Sequence, residues 1–280
     1  MRSVEESSRE GGAIAVLPGE RTAADRLRDI LQVPATDLAT GAGMLVHPAV
    51  PGVDHSAPAA ALARHKAAGG GVLALLVGRR GQRAVMERAF VAQEGLGLGD
   101  LAHVLTLDGE AGAKEAVEAV VEALGEDRVA AARSAPSLRD AVADRLLDGA
   151  ARQAAAVGAL IFLPGADMPV LTLLQVRLAI ELAAVYDRPV GSDRALEVAA
   201  LFGAGFGWRA LGRAGAGVVP GPGWALKGGL AYGATKAVGE AARAWYAEGG
   251  DLAERPVEGL REKLEGLVSK AKAMKAKKAA

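Results

Sequence analysis

Val72-Leu73-Ala74-Leu75-Leu76-Val77, followed by Gly78-Arg79-Arg80-Gly81 and a helical pattern over Gln82–Glu94, is the stretch that decides how the first half folds. A short apolar run without alternation suits a strand covered on both faces better than a helix. Three similar units flank it: Ala13–Leu17 leads into Thr22–Leu31, Met44–Val50 into Ala57–Ala68, and His103–Leu107 into Ala113–Leu124. Strand then helix, repeated, predicts a small three-layer α/β domain around a parallel sheet, over about residues 10–130.

In such sheets ligands bind where the strands end and helix N-termini present free N–H groups. The first of these turns reads Leu17-Pro18-Gly19-Glu20-Arg21-Thr22. A phosphate cradle of the Walker type asks for a second glycine, a lysine and a Ser/Thr that reaches magnesium. This turn has a single glycine, a repelling Glu20 and no lysine, and Thr22 is expected as the helix N-cap with Asp25 at the third helical position. Pro51-Gly52-Val53-Asp54 follows the second strand, and Gly78-Arg79-Arg80-Gly81 stands where a GTPase would read its base. Nucleotide binding is therefore not expected, and hydrolysis still less. Arg79 and Arg80 are read as a solvated loop tip.

His47, Asp54, His55 and His65 fall around the second strand and its helix. Two histidines and a carboxylate can hold zinc, but the intervals of eight and ten residues match no local ligand pattern. These histidines are expected to face solvent. No serine sits on a sharp elbow after a strand, so no Ser-His-Asp set is assembled. No catalytic residue, metal site or cofactor is predicted.

Composition narrows the classes further. The chain is 280 residues long and 51% hydrophobic but only 4% aromatic, with 37 glycines, so its core is built from Ala, Val, Leu and close backbone contacts. Lys plus Arg and Asp plus Glu number 33 each, which removes any overall field favouring nucleic acid. With no cysteine there are no disulfides and no thiolate metal ligands. Residues 1–12, MRSVEESSREGG, lack the basic-then-apolar order of a signal peptide and are expected to be disordered.

The second half has a different texture. Ser137 after Pro136 is read as a helix cap, and a helix from about Asp140 runs to Leu163 and stops at Pro164-Gly165. Further helices are predicted over Pro169–Tyr186, with Val170, Leu173, Leu174, Leu178 and Leu182 at helical spacing, over Asp193–Phe202, and over Trp224–Glu248, which stops at Gly249-Gly250. In the last of these Gly229, Gly233 and Ala237 recur every four residues, with Gly239 nearby. Glycine costs about 1 kcal/mol inside a helix, so close backbone contact is the expected compensation, against protein or lipid.

Asp167, Gln175, Arg177, Arg209, Arg213, Lys227 and Thr235 are the polar residues singled out among these apolar helices. Two readings stay open: a buried polar cluster at a binding site, or Asp167 as a helix cap with the arginines snorkelling or paired to Glu181 and Glu197. Trp208 and Trp224 suit either a lipid interface or a core. A membrane-crossing helix needs about 20 apolar residues. Gln153–Ala166, Val198–Trp208 and Ala214–Leu226 are all too short, so no simple span is predicted.

Leu163-Pro164-Gly165-Ala166-Asp167-Met168-Pro169, Gln175-Val176-Arg177-Leu178, Gly207 with Arg209, Leu211 and Arg213, Pro220, Gly223-Trp224, and Ala231-Tyr232-Gly233-Ala234-Thr235 with Gly239 resemble, as an ordered set, the YcjF-like family of unknown function. The resemblance covers about residues 150–250. It implies a helical, membrane-associated domain, often joined to an Era-like GTPase, with no assigned activity. The first half is similar in layout to such a GTPase but departs from it at the phosphate and base-reading loops.

The expected organisation is a disordered segment 1–12, a degenerate P-loop-GTPase-like α/β domain 13–128, an all-α glycine-rich YcjF-like domain 129–250 and a basic helical or disordered tail 251–280. The expected role is non-enzymatic, membrane-associated or protein-interacting, at the cytoplasmic face of a membrane. A GTP switch with a non-standard phosphate loop and a soluble helical oligomer are the alternatives. The partners expected are a membrane surface, another protein or a second copy, and not nucleic acid or nucleotide.

Overall fold

The computed structural model describes residues 14–18, 20–33, 43–160, 168–188 and 223–249, apart from the side chains of residues 160, 168, 169 and 223–227. Asp167, Trp208, Arg209, Arg213, the helix expected from Asp193, residues 1–12, the tail 251–280 and the Trp224 side chain lie outside that set. The chain divides into two compact units, Met1–Val142 and Ala143–Ala280. The division comes later than the expected 128/129 boundary because the segment after Asp127 is tied into the first unit. There the Ser137 hydroxyl donates to the carbonyl of Leu31 (2.7 Å), one of the carbonyls a helix end leaves unpaired. Ser137 is thus a clamp on the end of another helix, not the cap expected for its own.

The first unit holds four parallel strands, β1 (Ile14–Val16), β2 (Met44–Ala49), β3 (Gly71–Val77) and β4 (Leu101–Val104), in the order β1-β2-β3-β4. The fourth strand starts two residues before the expected His103, pairing Leu101 with Ala74. The helices are α1 (Arg21–Leu31), α2 (Ser56–Ala67), α3 (Arg80–Val91), α4 (Gly109–Ala123) and α5 (Arg128–Ser134). Side chains alternate across a strand, and both sets are apolar here, as a sheet covered on two faces requires. Ala15, Leu45, Ala49, Val72, Ala74 and Leu76 pack with Ala59 and Leu62 of α2 and with Met86 and Phe90 of α3. On the other face α1 and α4 pack against each other and over the strands, burying Leu27, Leu31, Ala116 and Val120. The three-layer α/β arrangement predicted from the repeated strand–helix pattern is what the first unit has. The loops after β2 and β3 turn to one face, and those after β1 and β4 to the other.

The second unit is helical: α6 (Arg139–Leu160), within which the division falls, α7 (Met168–Val185) and α8 (Gly223–Ala247). Ala154 of α6, Leu171 of α7 and Ala231 of α8 form a buried cluster. Helix α8 ends where expected, with Gly249 in the left-handed region at φ 85°. On α7 the buried stripe is Leu171, Gln175, Leu178 and Leu182, whereas Val170 and Leu173 from the expected apolar set are exposed. The helix is apolar nearly all round, so spacing alone did not select its inner face. Among the described residues no helix is long and apolar enough to cross a membrane.

Candidate functional site

The carboxyl edge of the sheet is the place to look for a ligand. There the chain's own carboxylates take backbone N–H groups at the starts of α1 and α2. The carboxylate of Glu20 accepts from the backbone N–H of Thr22 (3.2 Å) and of Ala23 (2.8 Å), making Glu20, not Thr22, the cap of α1. The Ala23 and Thr22 bonds hold its pKa below the usual carboxylate value. Ala24 N–H is taken by the carbonyl of Glu20. The α1 terminus therefore already carries the anion that a phosphate would otherwise supply.

The same closure recurs at α2. Asp54 accepts from the Ser56 N–H (2.9 Å) and hydroxyl (3.0 Å), which lower its pKa. Pro58 has no N–H, and Ala59 N–H bonds the carbonyl of His55 (2.9 Å). At α3, Gln82 Oε1 accepts from Arg79 N–H (3.0 Å), with Arg79 and Arg80 exposed as expected. Asp108, flanking α4, pairs with Arg26.

Behind the β2 loop the two histidines expected in solvent are buried. His47 is fully enclosed and His55 nearly so. Its position between apolar neighbours in Met44-Leu45-Val46-His47 was the available signal: sharing a face with Leu45 and Ala49, His47 must point into the α2–α3 side of the core. His55 Nε2 lies 2.8 Å from the carbonyl of Val50, which can only accept. His55 Nδ1 is then the acceptor for His47 Nε2–H, at 3.1 Å. The chain of donors ends at His47 Nδ1, a buried lone pair with no partner. Phe90 stacks on His55 with centroids 5.7 Å apart. Burial, and then the neighbouring His55, push the His47 pKa down to about 3. His65 is not part of this pair; its ring lies over Gly70. Among the described residues no group of three or more ligating side chains could hold a metal ion.

Outside this pair, between α2 and α3, a cavity of about 550 Å³ opens to solvent. Pro51, Val53, Ala59, Val85, Met86 and Ala89 supply its apolar wall, and Asp54, Ser56, Gln82 and Gln93 its polar groups.

In the second unit the predicted site residues separate. Gln175 is buried on α7, its amide 3.5 Å from the Thr235 hydroxyl on α8. Arg177 is on the solvent side and bonds Glu181 (2.8 Å), one of the pairings expected for it. Two residues apart on a helix, Gln175 and Arg177 face different ways, so they do not form one buried cluster. Gly229 and Gly233, expected at a close helix contact, are exposed, and a Cβ on either would touch nothing. Ala237 is half-buried. Gly239, expected at such a contact with them, does make one, against Leu147 and Leu178, and Gly228 makes another, where a Cβ would meet the Ala155 carbonyl oxygen at 3.0 Å. The inner face of α8 runs through Gly228, Ala231, Thr235, Val238, Gly239 and Ala242, offset from the small-residue series at 229, 233 and 237.

This offset predicts opposite responses to one kind of change. Gly233→Ala is expected to raise the unfolding free energy by roughly 0.4–1 kcal/mol, through helix propensity and a less flexible unfolded chain. Gly239→Val is expected to lower it by about 1–3 kcal/mol, through overpacking against Leu147 and Leu178. Urea denaturation of the two variants checks both signs.

Comparison with protein-family models, with curated proteins and with solved structures found no match to the chain.

Proposed function

We propose that this chain is a non-catalytic interaction protein that acts at a membrane surface or on another protein. On this reading its first unit is a degenerate relative of the P-loop GTPase layout, and its second unit is a YcjF-like helical domain. The observation that carries it is the closure of α1: Glu20 bonds the Thr22 and Ala23 N–H groups that a bound phosphate would need. Asp54 reinforces it at α2, because a second carboxylate beside the same edge opposes an incoming polyphosphate. For the second unit the support is the ordered set of residues between Leu163 and Gly239 that resembles the family, together with the exposed small-residue face at Gly229 and Gly233.

Sedimentation with phosphatidylcholine vesicles, with and without phosphatidylserine, tests the membrane arm. Co-sedimentation with the anionic vesicles, reduced by salt, is the expected result, since each lysine of the 251–280 segment near such a surface contributes about 1 kcal/mol. Protein left in the supernatant with every vesicle at low salt would remove the membrane arm and leave a protein partner.

A further inference from the structure

We propose that the groove between α2 and α3 binds a small apolar molecule carrying an amine. This goes beyond the interaction role above and does not depend on it. The groove has the volume of a small-ligand site, about 550 Å³. Val53 and Val85 at its wall remain 40% and 68% exposed, an apolar surface that a ligand's body would cover.

The head group follows from charge. Asp54 is the only acidic residue lining the groove, and no lysine or arginine lines it. His55, which also lines it, has both ring nitrogens engaged, by Val50 and His47. An anionic ligand finds little here. The Ser56 N–H is taken by Asp54, Pro58 has none to offer and Ala59 N–H is taken by His55. A helix N-terminus contributes a positive field worth about half a charge, so the full negative charge of Asp54 outweighs it. The Asp54 carboxylate accepts from Ser56 alone and retains lone pairs for an ammonium donor. The residues therefore select a cation over an anion, and an apolar chain over a polar one.

Isothermal titration calorimetry of the full chain with hexylamine, hexanol and hexanoate separates head group from tail. Saturable binding of hexylamine, weaker binding of hexanol and none of hexanoate is the expected order. Asp54→Asn keeps a side-chain oxygen to cap Ser56, so the fold is retained while the charge is lost. It should weaken hexylamine by about fivefold, the scale of an exposed ion pair, and leave hexanol unchanged. Val85→Lys, at a 68% exposed position, should abolish hexylamine binding with no change in thermal unfolding. Absence of saturable hexylamine binding, equal binding of hexanoate, or unchanged hexylamine affinity in Asp54→Asn would each overturn the proposal.

Discussion

Phe90→Ala is expected to cost about 3–5 kcal/mol of unfolding free energy, the range for emptying a fully buried aromatic site. Phe90 has no solvent exposure and sits in the α2–α3 side of the core with Leu45, Leu62, Leu76 and Met86. Its ring also covers both histidines, with centroids 5.7 Å from His55 and 6.0 Å from His47. Truncation therefore opens a void beside the buried His47–His55 pair. Phe90→Leu should cost less, since most of the volume is kept. Equilibrium denaturation of the two variants measures the difference. A cost below about 1 kcal/mol for the alanine variant would mean that the layer is not packed as described.

The second large effect is acid sensitivity centred on His47. Its folded pKa, about 3, lies below the ordinary 6.5 because burial penalises the charged ring. The unfolded chain therefore binds this proton more readily than the folded one, and stability rises with pH. The contribution is complete above about pH 6.5 and drains away as the pH falls toward 3. The linkage relation puts the loss at about 2 kcal/mol between pH 8 and pH 5. Glu20 and Asp54 act in the same direction but only below their ordinary carboxylate values of 4.5 and 3.8, a separate window. His47→Gln keeps an N–H donor for His55 and removes the titration, so its stability should be flatter over pH 5–8 than that of the parent. Parallel slopes for the two proteins would show that His47 is not the responsible group.

The sheet was legible because its signal is local. Unalternated runs such as Val72–Val77 state that both faces are buried, and the helical periods between them state what covers those faces. What covers which face, and the β1-β2-β3-β4 order, depends on contacts between distant residues that periodicity does not carry. The phosphate edge was half legible. One glycine and a glutamate at Gly19-Glu20 already spoke against a cradle, but that Glu20 itself caps α1 is a matter of side-chain geometry. His47 was misread because it was weighed as a candidate zinc ligand or a loop residue, not as a member of its strand; the parity of Leu45, His47 and Ala49 pointed inward. On α8 the small residues form two overlapping series. The regular one at 229, 233 and 237 makes no close glycine contact, whereas Gly239, expected beside it, and Gly228, not expected, do, because packing follows the neighbouring helices and not the neatest spacing.

We propose that nucleotide phosphates are kept from the α1 end of the sheet, where Glu20 already holds the Thr22 and Ala23 N–H groups. Titrating the full chain into a fluorescent GTP analogue, with magnesium and at low salt, tests it most directly. No saturable change in fluorescence anisotropy up to high micromolar protein is the predicted result, for the parent and for a Glu20→Gln variant alike, because the side-chain amide oxygen can still cap α1. Saturable, magnesium-dependent binding displaced by unlabelled GTP would contradict the account, and would require Glu20 to leave the Thr22 and Ala23 N–H groups it now holds.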